Sequence, residues 1–171
     1  MMKEMVLSLR GQQTYVGQEP DTIEFVTDGV LKNAENGWEI SYEESALTGL
    51  EGVCTTFLVE KDCVTLTRTG ALQSQMVFKK NVPHDSLYQM EFGALLITVC
   101  ATKILWDLSF EGGVVDLNYN IDIENSAAGT VDYHLEIKPK NIQKKIEPPG
   151  ALQATRPQFL PLRKPSVIAN Q

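Results

Sequence analysis

The sequence is short of the residues that do most polar chemistry. Of its 171 residues, two are histidine (His84 and His134) and three are cysteine (Cys54, Cys63 and Cys100). His134 lies between Asp132 and Glu136 in a strand-like run, and His84 follows Pro83 in an expected loop. Neither has the spacing of a metal ligand, so no metal site is expected. The cysteines form no CxxC pair, and their odd number fits reduced thiols in a cytoplasmic protein better than a disulfide framework. No Walker loop, GxSxG elbow or dinucleotide fingerprint occurs, and no cysteine has a histidine placed to activate it. No cofactor is implied, and an enzyme is the reading with least support.

Long apolar runs are missing too. The longest, ALLITVCA, falls far short of the roughly 20 residues of a membrane span. The opening MMKEMVLSLRGQQT has too few apolar residues for a secretory leader and no small-residue cleavage site. Basic residues are scarce where a fold is expected. Residues 1–138 hold 9 Lys and Arg against 21 Asp and Glu, whereas residues 139–171 hold 6 basic residues and one acid. An acidic body excludes a phosphate-backbone face, which needs basic side chains to displace counterions. Neither nucleic acid nor membrane is an expected partner; a protein partner or homo-oligomer is left open. Proline is nearly absent before Pro139, but six of the eight prolines lie at or after it. A β domain over residues 1–138 is therefore expected, followed by a Pro-rich basic tail over 139–171 that is disordered.

What the body does contain is alternation. VVDLNYNIDIE puts Val115, Leu117, Tyr119, Ile121 and Ile123 on one face and polar residues on the other, and TVDYHLEIK repeats the pattern. Turn signals at Asp28-Gly29, Asn36-Gly37, Gly112-Gly113 and Ala128-Gly129 separate such runs. About ten strands are expected, mostly antiparallel neighbours. Their edges are best hidden by closure into a barrel, with a two-sheet sandwich as the alternative. Taking Gly112-Gly113 as a two-residue turn pairs Trp106 with Tyr119 and Ile104 with Ile121. The phase of ALLITVCATK is ambiguous and points to a bulge.

One stretch breaks the pattern. WEISYEESALTGLEGVCTTFLVEKDCVTLTRTG alternates almost throughout, yet Glu44 and Arg68 fall on the apolar side. A turn at Lys61-Asp62 pairs Thr55 with Arg68, and the next strand pairs Arg68 with Ser74. If Ala46 opposes Val53, then Ile40 faces Val59, Tyr42 faces Phe57 and Glu44 faces Thr55. Glu44, Thr55, Arg68 and Ser74 would then form a row across four strands. At about 4.8 Å per strand, Glu44 and Arg68 would lie about 10 Å apart at Cα, within reach of each other above the small Thr55. An unpaired buried charge costs several kcal/mol, so each is expected to answer the other. Two readings are open. In one, the pair seals a barrel end and fixes register. In the other, Arg68 anchors the carboxylate or phosphate of a small, partly apolar ligand, with Glu44, Thr55, Ser74, Tyr42 and Trp38 around it. The competing function is a structural or protein-interaction module with a filled core and no ligand.

ISYEESALTGLEG, LTRTG followed by SQMVF, YQMEFG and LNYNIDIEN, in this order and spacing, resemble the YwiB-like family of small bacterial proteins. The resemblance spans about residues 3–138, with YEES-x-x-TGLEG and R-x-G as its most specific elements. It implies an all-β fold, a closed antiparallel β-barrel of about 8–10 strands of the lipocalin (calycin) type, in a bacterial cytoplasm. It implies no activity; the family is a domain of unknown function.

Overall fold

The computed structural model describes residues 1–90 and 93–140. Residues 141–171 lie outside the described residues, and with them nearly all of the expected basic tail. Ten strands follow one another: β1 (Met2–Tyr15), β2 (Asp21–Ala34), β3 (Gly37–Glu43), β4 (Val53–Glu60), β5 (Cys63–Gly70), β6 (Ser74–Lys79), β7 (His84–Met90), β8 (Gly93–Ser109), β9 (Gly112–Ile123) and β10 (Ser126–Pro139). All neighbours are antiparallel, in the order β6-β5-β4-β3-β2-β1-β10-β9-β8-β7. No helix occurs among the described residues.

This single sheet curls until its ends meet, which settles the choice between barrel and sandwich. Lys80 forms a parallel bridge with Ala101. The Asn81 N–H donates to the Ala101 carbonyl at 2.8 Å, and the Val77 N–H makes a long 3.5 Å contact with Nδ1 of His84, the first residue of β7. No ladder joins β6 to β7. The result is a nearly closed barrel with one seam, and closure of this kind hides most backbone edges from solvent.

The period-2 patterns point inward as their residues require. Leu7, Leu9, Leu31, Ile40, Phe57, Val64, Phe78, Val115, Leu117, Ile121, Leu135 and Ile137 form one continuous core. In the ambiguous stretch of β8, Ile97, Val99 and Ala101 face inward. A bulge between Ala101 and Lys103 then flips the phase, so that Ile104 and Leu108 are the buried residues of the second half.

The β8–β9 hairpin differs from the expected register. The turn is Phe110-Glu111, not Gly112-Gly113, and Ser109 pairs with Gly112. Trp106 therefore faces Val115 and Ile104 faces Leu117. The shift is by an even number of residues, so every side chain keeps its face and the apolar pattern cannot detect the error. The two glycines serve close approach instead. A Cβ on Gly113 would lie 1.9 Å from the Asp107 carbonyl oxygen, and one on Gly112 would lie 2.4 Å from that of Ile137.

Candidate functional site

The chain leaves β3 at Glu43 and returns at Val53. Between them a tight loop is built on Ser45. Its hydroxyl accepts the Leu47 N–H at 3.2 Å, and its carbonyl accepts the Thr48 N–H at 3.1 Å. Such local bonds are what Ser contributes to turns. The loop folds Thr48 back over the barrel end, where it is 2% exposed. There its hydroxyl lies 2.8 Å from Glu44 Oε1.

Register at this point also differs from expectation. Tyr42, not Glu44, faces Thr55, and Ile40 faces Phe57. Glu44 is displaced toward the mouth, its N–H bonded to the Val53 carbonyl at 2.8 Å. The expected loop was two residues out, again an even slip that preserves parity. The row across the sheet is thus Tyr42, Thr55, Arg68 and Ser74, with Glu44 diagonal to it. The other pairs stand where the sequence put them: Thr55 with Arg68, Phe57 with Leu66, and Arg68 with Ser74.

Glu44, Thr55 and Arg68 all point inward and are 7%, 0% and 3% exposed. Their connection is a relay. The Thr55 hydroxyl donates to Glu44 Oε2 at 2.5 Å, and the same oxygen accepts Arg68 Nε–H at 3.3 Å. Thr55 thus bridges the two charged groups through its one hydroxyl. Two hydroxyl donors thus satisfy the buried carboxylate, as a buried charge requires. Thr48 was not foreseen as a member; only the turn residues around it hinted that the loop would fold inward.

Tyr42 packs edge-on against Phe25, with ring centroids 6.0 Å apart. Its buried hydroxyl sits beside Glu44 and Tyr133 without a hydrogen bond of good geometry. Burial, with the Glu44 charge adding to it, pushes this phenol well above its ordinary pKa. Burial likewise raises Tyr119 and Tyr133, while the Arg68 charge pulls both the other way. Ser74 stands beside Arg68, half-buried. Trp38 is not part of this constellation. It pairs with Val59 at the opposite end of β3 and packs edge-on against Phe110 at 4.9 Å. Nearby, Trp106 Nε1–H donates to the Glu60 carbonyl at 2.8 Å.

Inside the barrel, next to Arg68, lies a cavity. Its free volume is about 30 Å³. Leu9, Ile23, Phe57, Leu66, Met76 and Phe78 form much of the wall. The polar lining is Arg68, Gln13, Tyr119 and Tyr133. Glu44, Thr55 and Tyr42 are not in contact with it. Sequence reasoning treated Tyr119 and Tyr133 as core residues and gave Gln13 no role. The alternation of β1 was the available signal for Gln13, since Leu7, Leu9, Gly11 and Gln13 share a face.

The remaining polar residues are dispersed. His134 Nδ1 lies 2.6 Å from Asp116 Oδ1 on the outer wall, half-exposed. Among the described residues no cluster of His, Cys, Asp and Glu could hold a metal ion. The three cysteines are free thiols, each half-buried. No helix of the described residues is long and apolar enough to cross a membrane.

A nearly closed, ten-stranded antiparallel barrel with a bridged charge pair inside one mouth defines the class of protein. The chain belongs to a family described as a domain of unknown function (DUF1934), which matches residues 7–137. Its fold is similar to that in the crystal structure of ywiB protein from Bacillus subtilis, with a TM-score of 0.72 and 21% identity over 82% of this chain and 94% of that one. At that identity the likeness bears on the fold alone, and it agrees with the lipocalin-like barrel expected from the YwiB-like resemblance. No curated protein matches the chain.

Proposed function

We propose that the protein is a non-enzymatic barrel of the bacterial cytoplasm that binds a small, partly apolar molecule at the Arg68 end of its interior. The observation that carries this reading is the cavity wall: apolar over most of its surface, with Arg68 as the one charged residue among the described residues that line it. Binding sites commonly pair an apolar lining with a few convergent polar groups. Glu44 stabilises the guanidinium through Thr55 from outside the cavity, which leaves the wall itself to donors. The bacterial relative of similar fold and the three free thiols support the setting.

The free volume favours a second reading. About 30 Å³ is far less than the several hundred of a typical ligand site, so a structural or interaction module with a filled core remains the competitor. Native mass spectrometry of the full chain purified from its own host separates the two. A stoichiometric small-molecule adduct is expected. Bare protein under gentle ionisation, with the fold intact, would refute the binding reading and leave the filled module.

A further inference from the structure

We propose that the outer wall carries a docking cleft for the chain's own tail, and that residues 141–146 occupy it with Lys144 against Glu43. The acids that line this cleft are exposed and alternate with core residues, so it lies across the sheet from the Arg68 cavity and does not depend on it. The ladder between β2 and β3 ends at Val30 and Ser41, although β2 begins at Asp21 and β3 runs on to Glu43. Beyond that pair the two strands part, and a cleft of about 290 Å³ opens there. Val30 and Cys54 line it together with three acids, Glu4, Asp28 and Glu43.

The first argument is where the described chain ends. β10 finishes at Pro139, opposite Met5. Lys140 then lies beside β1, its N–H bonded to the Glu4 carbonyl at 3.2 Å. Its side chain crosses β1 to reach β2, where Nζ is 3.0 Å from Asp28 Oδ2. The first residue after β10 is therefore already seated on the cleft, and residues 141–171 follow it. The second argument is charge. Lys140 answers Asp28, but Glu4 and Glu43 are exposed and make no ion pair among the described residues. Residues 139–171, with 6 basic residues and one acid, carry the complementary sign.

The third argument is reach. From Lys140 the sequence reads KNIQKKI, so in an extended chain Lys140, Ile142, Lys144 and Ile146 share one face. From β10 across β1 and β2 to β3 is three strand spacings, about 14 Å. Four extended residues span about 13–14 Å. With Lys140 on Asp28, the Lys144 ammonium then meets Glu43 and Ile142 covers Val30. Each exposed ion pair contributes little alone. The tether holds the segment at an effective concentration on the order of millimolar, so a weak contact is enough.

The test uses the full-length chain, with Cys54 in the cleft as reporter. Its alkylation by N-ethylmaleimide is followed by peptide mass spectrometry. Cys63 and Cys100, which do not line the cleft, serve as references in the same sample. Lys144→Glu should speed the reaction of Cys54 at least about threefold and leave the references unchanged. Lys145→Glu, on the other face of the extended segment, should change it less. Burial and, after it, the Glu43 charge raise the Cys54 thiol pKa, so Glu43→Lys alters the reporter itself. Rates are therefore compared within that background, where Lys144→Glu should slow Cys54, because the pair is restored with its charges exchanged. Equal Cys54 rates in the wild type and Lys144→Glu, or no slowing in the Glu43→Lys background, would overturn the proposal. Protection that rises with protein concentration would give the cleft to the tail of a second copy, and would also overturn it.

Discussion

Replacing Thr55 by Val tests whether the hydroxyl bridge holds the buried charges. The side chain is fully buried, and Val reproduces its branched shape, so packing is conserved. What disappears is one oxygen that donates to Glu44 and accepts from Arg68. A hydrogen bond to a charged group contributes about 1.5–3 kcal/mol, and a buried charge that loses its partner keeps its desolvation cost. Two such bonds would total about 3–6 kcal/mol. Glu44 retains Thr48, so the lower end applies: a loss of about 3 kcal/mol. For a chain of this size that is a fall in Tm of roughly 6–12 °C. Urea denaturation followed by tryptophan fluorescence measures it, with Cm falling and m unchanged. In a Glu44→Gln background the same substitution should cost at least about 1 kcal/mol less, because the pair is coupled. A change under about 0.5 kcal/mol, or a gain in stability as expected for Val on a purely apolar face, would refute the reasoning.

The phenols predict an alkaline limit. Tyr42 and Tyr119 have folded-state pKa values raised by burial above the ordinary value near 10, so the folded state holds protons that the unfolded chain releases. Their contribution is complete below about pH 10 and lost as pH rises through the folded values; these two alone should lower stability by about 2.7 kcal/mol per pH unit above pH 10, and Tyr133, which burial also raises well above its ordinary value, adds to the fall. Chemical denaturation between pH 9 and 11 checks this, and a flat profile, or one restored only in Tyr→Phe variants of exposed sites, would contradict it. Gly113→Ala should cost more than about 2 kcal/mol, since φ is +146° and the new Cβ would meet the Asp107 carbonyl at 1.9 Å; thermal melts decide it, and a neutral result would exclude this backbone geometry. His134→Ala, which removes a half-exposed surface pair, should change stability by less than about 1 kcal/mol in the same assay.

Side-chain parity was readable from the sequence almost throughout, because one buried face forces a period of two. That is why Glu44 and Arg68 were placed inward and why the β4–β5 and β5–β6 pairings are as expected. Loop length was not readable. The Ser45–Gly52 loop and the Phe110-Glu111 turn each differ from expectation by an even count, and apolar alternation is blind to even slips. The same blindness put Trp38 beside the charges, although four residues of strand separate it from Tyr42, about 13 Å. Gln13, Thr48, Tyr119 and Tyr133 were not recognised as polar partners because they converge from separate strands and a loop. Such convergence depends on barrel curvature, which no local pattern encodes.

The central claim is that Arg68 is held inside the barrel by the Thr55 oxygen, with Glu44 behind it. Hydrogen exchange at Arg68 Nε–H, resolved by ¹⁵N NMR, reads that arrangement directly. A protected resonance that exchanges far more slowly than other arginines, and loses its protection in Thr55→Val, is the expected result. Exchange at the rate of an exposed guanidinium in the wild-type protein would contradict it.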